Sequence, residues 1–339
     1  MSNKKVLVTG GAGYIGSHTC VELVKAGYTP IIIDNFSNSE KFVLERLNEL
    51  TGGPLTLEEG DCANRDFLES VFDRHHDISG VIHFAAYKAV GESSADPLKY
   101  YHNNIQSTVN LLAVMKKWNI SNLVFSSSCT VYGQPDVLPV TEASPMKPAE
   151  SPYGRTKQIC EDIISDYCRA VESFKVISLR YFNPIGAHPS SLIGELPLGA
   201  PNNLVPYITQ TAAGIREQLT VFGDNYDTKD GTCIRDYIHV VDLAKAHIAA
   251  LNKMMQTDDS FSDIYNIGTG HGHSVLEVVK TFEKVANQNL NYQIGPRRSG
   301  DVEKVYADVS KAENVLMWKA ELSLEKALED SWNWQKSLS

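Results

Sequence analysis

The chain has 339 residues, 42% of them hydrophobic and 21% charged, enough to bury a large core without staples. Its net charge of −10 repels polyanions and argues against a nucleic-acid partner. No run is long and apolar enough to span a membrane, and the first residues lead straight into an apolar strand without a secretion leader. The cysteines (Cys20, Cys62, Cys129, Cys160, Cys168 and Cys233) show neither CxxC pairs nor zinc spacing. A cytoplasmic protein with reduced thiols and no metal is expected.

Lys5 to Thr9 reads as a strand and Tyr14 to Ala26 as a helix. Pro30 to Asp34, Leu55 to Glu59, Gly80 to Ala85, Leu123 to Ser127 and Val176 to Tyr181 read as further strands. Helical patterns fall at Arg65 to His75, Pro97 to Trp118, and Pro152 to about Val171. Short Val/Ile-rich runs alternating with helices predict an α/β fold, a Rossmann-type doubly wound parallel sheet covered on both faces. Residues 183–233 are rich in Pro, Gly and Asn and read as loops. Helices return at Val241 to Met254, Val275 to Ala286 and Leu324 to Trp334. The expected division is a sheet domain over 1–182 and a smaller mixed α/β lobe over 183–339, with some later segments returning to the sheet.

Gly10-Gly11-Ala12-Gly13-Tyr14-Ile15-Gly16 follows the first strand and opens the first helix. Glycines there permit a tight turn and close approach of backbone to a pyrophosphate, and the helix N-terminus offers unpaired N–H groups. The second strand ends in Asp34, whose carboxylate can accept from both ribose hydroxyls and repels a 2′-phosphate. The combination predicts NAD rather than NADP. Asp61 can reach the adenine amino group or serve as a helix N-cap. Phe84-Ala85-Ala86 closes the fourth strand with small residues on which a cofactor can lie.

Ser151-Pro152 starts a helix on which Tyr153 and Lys157, four apart, share one face. Ser126, Ser127 and Ser128 end the neighbouring strand. Oxidising an alcohol by hydride transfer needs a base for the hydroxyl proton. A tyrosine has a pKa of about 10, and bringing it near neutrality takes roughly 4 kcal/mol, within reach of a lysine ammonium and a cationic nicotinamide. A serine hydroxyl can hold the reacting oxygen in place.

With these residues in view, the sequence resembles the extended short-chain dehydrogenase/reductases and, within them, the UDP-glucose 4-epimerase family. The resemblance covers nearly the whole chain. It is carried by Val8 to His18, Ile33-Asp34-Asn35, His83 to Lys88, Ser126 to Gly133, Pro152 to Lys157, Leu179 to Asn183 and Arg235 to Val240. It implies tightly bound NAD and reversible inversion at C4 of UDP-glucose and UDP-galactose through a 4-keto sugar, as in galactose metabolism. It implies Tyr153 as base, Lys157 as its tuning cation and Ser128 as the group ordering O4. It extends the cofactor site to Asn35, Cys62, Ser126, Lys88, Asn103 and Phe182. It assigns Asn183, Asn203, Arg235, Arg298, Asp301 and Lys88 to the UDP-hexose. For the arginines and Asp301 there is a physical case besides: a diphosphate on an acidic protein needs guanidinium forks, and a ribose needs a carboxylate.

In that family a residue shortly after the Arg298…Asp301 turn walls the sugar pocket. Counting from Asp301 gives Val305, with Tyr306 next. A small side chain there leaves room for a 2-acetamido group, so UDP-GlcNAc and UDP-GalNAc are expected substrates; Tyr306 at the wall would weaken that expectation. Helices around Asn104 to Trp118 and Ser151 to Val171 match those that relatives use in a homodimer. A 4,6-dehydratase is disfavoured, because Ser128-Cys129-Thr130-Val131 lacks the Asp-Glu pair such enzymes carry after the serine or threonine. A non-catalytic NAD sensor has no need of Tyr153 and Lys157 in register.

Overall fold

The computed structural model describes residues 4–257, 259–298 and 301–338. Seven strands form one parallel sheet: β1 Lys5–Thr9, β2 Thr29–Asp34, β3 Thr56–Glu59, β4 Ile78–His83, β5 Asn122–Ser128, β6 Lys175–Tyr181 and β7 Phe261–Ile267. Their order is β3-β2-β1-β4-β5-β6-β7, so the direction of winding reverses between β1 and β4. A doubly wound sheet opens a ligand crevice at that switch, beyond the carboxyl ends of the strands.

Alternating side chains build a core on each face. Val6, Val8, Ile32, Ile82, Val124 and Ile177 meet α1 (Tyr14–Lys25) and α7 (Val240–Met255) through Val21, Leu23, Leu243, Ala250 and Leu251. Leu7, Ile31, Ile33, Val81, Leu123, Phe125 and Val176 meet α3 (Arg65–Arg74), α4 (Gln106–Lys117) and α5 (Pro152–Ala170). Both faces are apolar because both are covered, which is why the strands read as continuous hydrophobic runs.

Several elements differ from the sequence reading. The expected helix Pro97 to Trp118 comprises a short helix Pro97–Tyr100, a π-helical turn Tyr101–Ile105, and α4. Strand β4 starts and ends two residues early, leaving Phe84-Ala85-Ala86 beyond the strand. Helix α2 (Phe42–Thr51) lies where no element was assigned, and α6 (Leu204–Ala212) lies within the span read as loops. After residue 183 the chain returns to the sheet: α7 packs on α1, and β7 pairs with β6. Helices α8 (Val275–Ala286) and α9 (Leu324–Ser337) share a separate core with Val205, Ile208, Leu219 and Val221. No helix of the described residues is long and apolar enough to cross a membrane.

Candidate active site

The glycine turn is tied to β2, with Gly10 N–H donating to the Ile33 carbonyl at 2.7 Å. Gly10 has φ +70°, and a Cβ at Gly16 would lie 2.2 Å from the Gly10 oxygen and 2.8 Å from Gly11 Cα. Only glycine lets α1 start this close to the turn. Gly13 is the N-cap of α1 and brings no side chain to its first N–H groups, so these remain for an anion. Asp34, 7% exposed, is held by three donors: Ala12 N–H, Phe36 N–H and the Ser39 hydroxyl, each at 2.9 Å. This cradle and its carboxylate fit a dinucleotide without a 2′-phosphate.

Asn35 is exposed and accepts from Ser37 N–H at 3.0 Å. Asp61 is exposed, accepts from Ala63 N–H at 2.8 Å, and is not the N-cap; Asn64 caps α3 by accepting from Phe67 N–H. The cap reading of Asp61 is therefore corrected, leaving its carboxylate beside the crevice. Cys62 is buried next to it. Ala85 N–H donates to the Thr9 hydroxyl at 3.3 Å, holding Ala85-Ala86 at the ends of β1 and β4. Phe84 packs on the His247 ring, 4.8 Å between centroids.

Ser126 and Ser128 end β5, and the Ser151 hydroxyl caps α5 by accepting from Gly154 N–H at 3.1 Å. That cap places Tyr153 and Lys157 on the first turns of α5, beside the serines. Lys157 is 4% exposed, and its Nζ donates to the Ser126 carbonyl at 2.5 Å and lies 4.9 Å from the Phe125 ring centroid. Burial pulls the Lys157 ammonium down to about 8. Burial pushes the Tyr153 phenol up to about 12, against the opposing pull of its Ser128 hydrogen bond. In the chain alone burial thus outweighs the pull toward phenolate, which the sequence analysis assigned jointly to the Lys157 ammonium and a cationic nicotinamide.

The π-turn brings in two asparagines. Asn103 Nδ2 donates to Asn104 Oδ1 at 3.0 Å. Asn104 is buried and bonds both backbone groups of Tyr87 and the Thr156 hydroxyl, which donates to the Tyr153 carbonyl. A π-bulge re-aims consecutive side chains in this way. Lys88 Nζ pairs with Glu195 at 3.2 Å and lies 5.8 Å from the Tyr14 ring centroid. Glu195 also accepts from Asn203 Nδ2 at 2.6 Å, so it gathers residues from three segments.

Arg235 sits on the short strand Ile234–Arg235, flanked by His273–Ser274 and Lys304–Val305. Its Nη2 lies 3.9 Å from Asp301, which accepts from Arg298 at 2.7 and 3.2 Å. Asp236, fully buried, accepts from Thr269, Gly270 and Ala307 backbone N–H groups and so fastens this strand. Asn183 N–H donates to the Asp236 carbonyl at 2.9 Å. Val305 packs in one cluster with Phe182, Val131 and Tyr132, just past Ser128. Tyr306 points the other way: a Cβ at Gly272 would come within 3.1 Å of its ring.

The sequence reading missed Glu195, Asn104 and Asp236. Asp236 lay within the Arg235-Asp236-Tyr237 motif and was readable there. Glu195 and Asn104 show their partners only in three dimensions.

A glycine turn into α1, an acidic end to β2 and a Tyr–Lys pair facing a serine at the end of β5 define an extended short-chain dehydrogenase/reductase. The family model described as GDP-mannose 4,6 dehydratase matches residues 7–331. A UDP-glucose 4-epimerase of Bacillus subtilis is 53% identical over 98% of this chain and 97% of its own length. One of Homo sapiens is 50% identical over the same shares. The crystal structure of a UDP-glucose 4-epimerase from Bifidobacterium longum in complex with NAD+ and UDP superposes with TM-score 0.95, at 50% identity, over 98% of both chains. The chain belongs to the UDP-glucose 4-epimerase family.

Proposed function

We propose that this protein interconverts UDP-glucose and UDP-galactose by oxidising C4 and reducing it again from the opposite face. The observation that carries the reading is that Lys157, one turn after Tyr153 on α5, reaches the Ser126 carbonyl at the carboxyl end of β5, the strand that Ser128 closes. Residues 1–182 serve as the cofactor domain, with α7 and β7 added to it, and 183–339 otherwise hold the nucleotide sugar. NAD would lie on Gly10, Gly13, Tyr14, Ile15 and Gly16, with Asp34 on a ribose and Asn35, Asp61, Cys62, Phe84, Ala85, Ala86, Lys88, Asn103, Ser126 and Phe182 around it. When bound, NAD accepts a hydride from C4 and returns it.

Tyr153 takes the O4 proton as phenolate and gives it back. Lys157 supplies positive charge next to that phenol from a site where the Ser126 carbonyl fixes it. Ser128 donates a hydrogen bond to O4 and so orients it. Arg235 and Arg298, aligned by Asp301, grip the diphosphate, with Asn183, Asn203 and Lys88. Binding energy placed on the nucleotide leaves the hexose free to turn between hydride transfers.

The same site accepts N-acetylated sugars. Val305 is the small residue on the Phe182 side of its strand, while Tyr306 packs toward Gly272. Wild-type protein therefore turns over UDP-GlcNAc, and Val305→Tyr abolishes that turnover while sparing UDP-galactose. Failure of the wild type on UDP-GlcNAc, with UDP-galactose converted, overturns this part. The outer surfaces of α4 and α5, where Val109 is 41% exposed, pair two copies into a cytoplasmic homodimer acting in galactose metabolism. Light scattering that returns a monomer mass overturns the pairing.

A further inference from the structure

Resting on the roles assigned to Ser128 and Tyr153, we propose that Thr130 is a positioning residue that fixes Ser128 as a one-way hydrogen-bond donor toward the reacting oxygens. A serine hydroxyl has one proton and two acceptor lone pairs. Both lone pairs of Ser128 are engaged by the same neighbour. Thr130 N–H donates to Ser128 Oγ at 3.2 Å, and the Thr130 hydroxyl donates to it at 3.0 Å. Ser128 is 8% exposed, so bulk water does not reshuffle this arrangement. What remains is one proton, directed outward.

Thr130 is itself pinned. A Cβ at Gly154 would lie 3.2 Å from Thr130 Cβ and 3.3 Å from its carbonyl oxygen. The glycine after Tyr153 therefore lets the start of α5 settle directly on Thr130. One residue thus contacts both the serine and the helix that bears the tyrosine.

The polarity matters for the proton. An O4 hydroxyl that must accept from Ser128 has its own proton left to point at the Tyr153 oxygen. No Ser128 lone pair is free to take that proton in relay, so it passes from O4 to the phenolate. Ser128 then stays hydrogen-bonded to the keto oxygen.

The test compares Thr130→Val, which keeps shape and backbone N–H, with Thr130→Ser, which keeps the hydroxyl. For UDP-galactose, Thr130→Val lowers kcat about tenfold with KM changed less than about twofold, as loss of one hydrogen bond in the transition state requires. Thr130→Ser restores kcat. The Ser128→Ala/Thr130→Val double variant is no slower than Ser128→Ala alone, since Thr130 acts through Ser128. Wild-type kcat in Thr130→Val, or additive losses in the double variant, overturn the positioning role while leaving the site intact. Wild-type kcat in Ser128→Ala instead overturns the assignment on which it rests.

Discussion

Removing the Glu161 carboxylate probes how the helix bearing Tyr153 and Lys157 is held to the sheet. Glu161 lies on α5 one turn beyond Lys157 and accepts from Arg180 on β6 at 3.0 Å (Nε) and 2.6 Å (Nη2). It also bonds the Ser127 hydroxyl on β5. The two charged side chains are 3% and 6% exposed, and Arg180 Nη1 has no hydrogen-bond partner among the described residues. Glu161→Leu leaves a buried guanidinium uncompensated, which costs about 3–5 kcal/mol. Unfolding entropy near 2.1 cal/mol/K per residue gives about 0.7 kcal/mol/K for 339 residues, so Tm falls by roughly 4–7 °C. Adding Arg180→Met recovers most of that loss, because an apolar replacement of a buried pair is close to neutral. Thermal melts by circular dichroism measure both. A single variant melting with the wild type, or a double variant as unstable as the single, refutes the reasoning.

Gly16→Ala forces a methyl group into the Gly10 carbonyl and Gly11 backbone. The turn must shift, and the variant purifies with at least about tenfold less NAD, the equivalent of one hydrogen bond lost from the pyrophosphate; full NAD content speaks against the cradle. Lys157 has a folded pKa lowered to about 8, so the unfolded chain holds that proton more tightly. Its destabilising contribution is full below that value and fades as pH rises toward the unfolded value of about 10.5. Lys157→Met, melted without added cofactor, therefore gains most over wild type at neutral pH and little in alkali. A difference that does not change with pH contradicts the burial account.

The parts legible in the sequence were those written in local chemistry. The glycine turn follows from spacing, Asp34 from its place at a strand end, and the Tyr153–Lys157 pair from a Ser-Pro helix start whose Ser151 lies two and six residues before Tyr153 and Lys157. Strand β7 was not legible: Phe261-Ser262-Asp263-Ile264-Tyr265-Asn266-Ile267 mixes polar and apolar residues and gains its place only by pairing with β6, far earlier in the chain. Helix α6 starts at Asn203 without a side-chain cap and contains Pro206, so its composition read as loop. The π-turn at Tyr101–Ile105 changes hydrogen-bond register without changing residue pattern, which hid the joint placement of Asn103 and Asn104. The pKa of Tyr153 turned on burial, which no motif reports.

The most direct test of the central claim is conversion of UDP-galactose to UDP-glucose by the purified protein, run in parallel with Tyr153→Phe. The account predicts that wild type reaches one equilibrium mixture from either sugar. It predicts that the variant keeps its bound NAD yet slows by at least about 100-fold, as loss of a general base requires. NAD-loaded wild type that leaves both sugars unchanged, or a variant as fast as wild type, would contradict it.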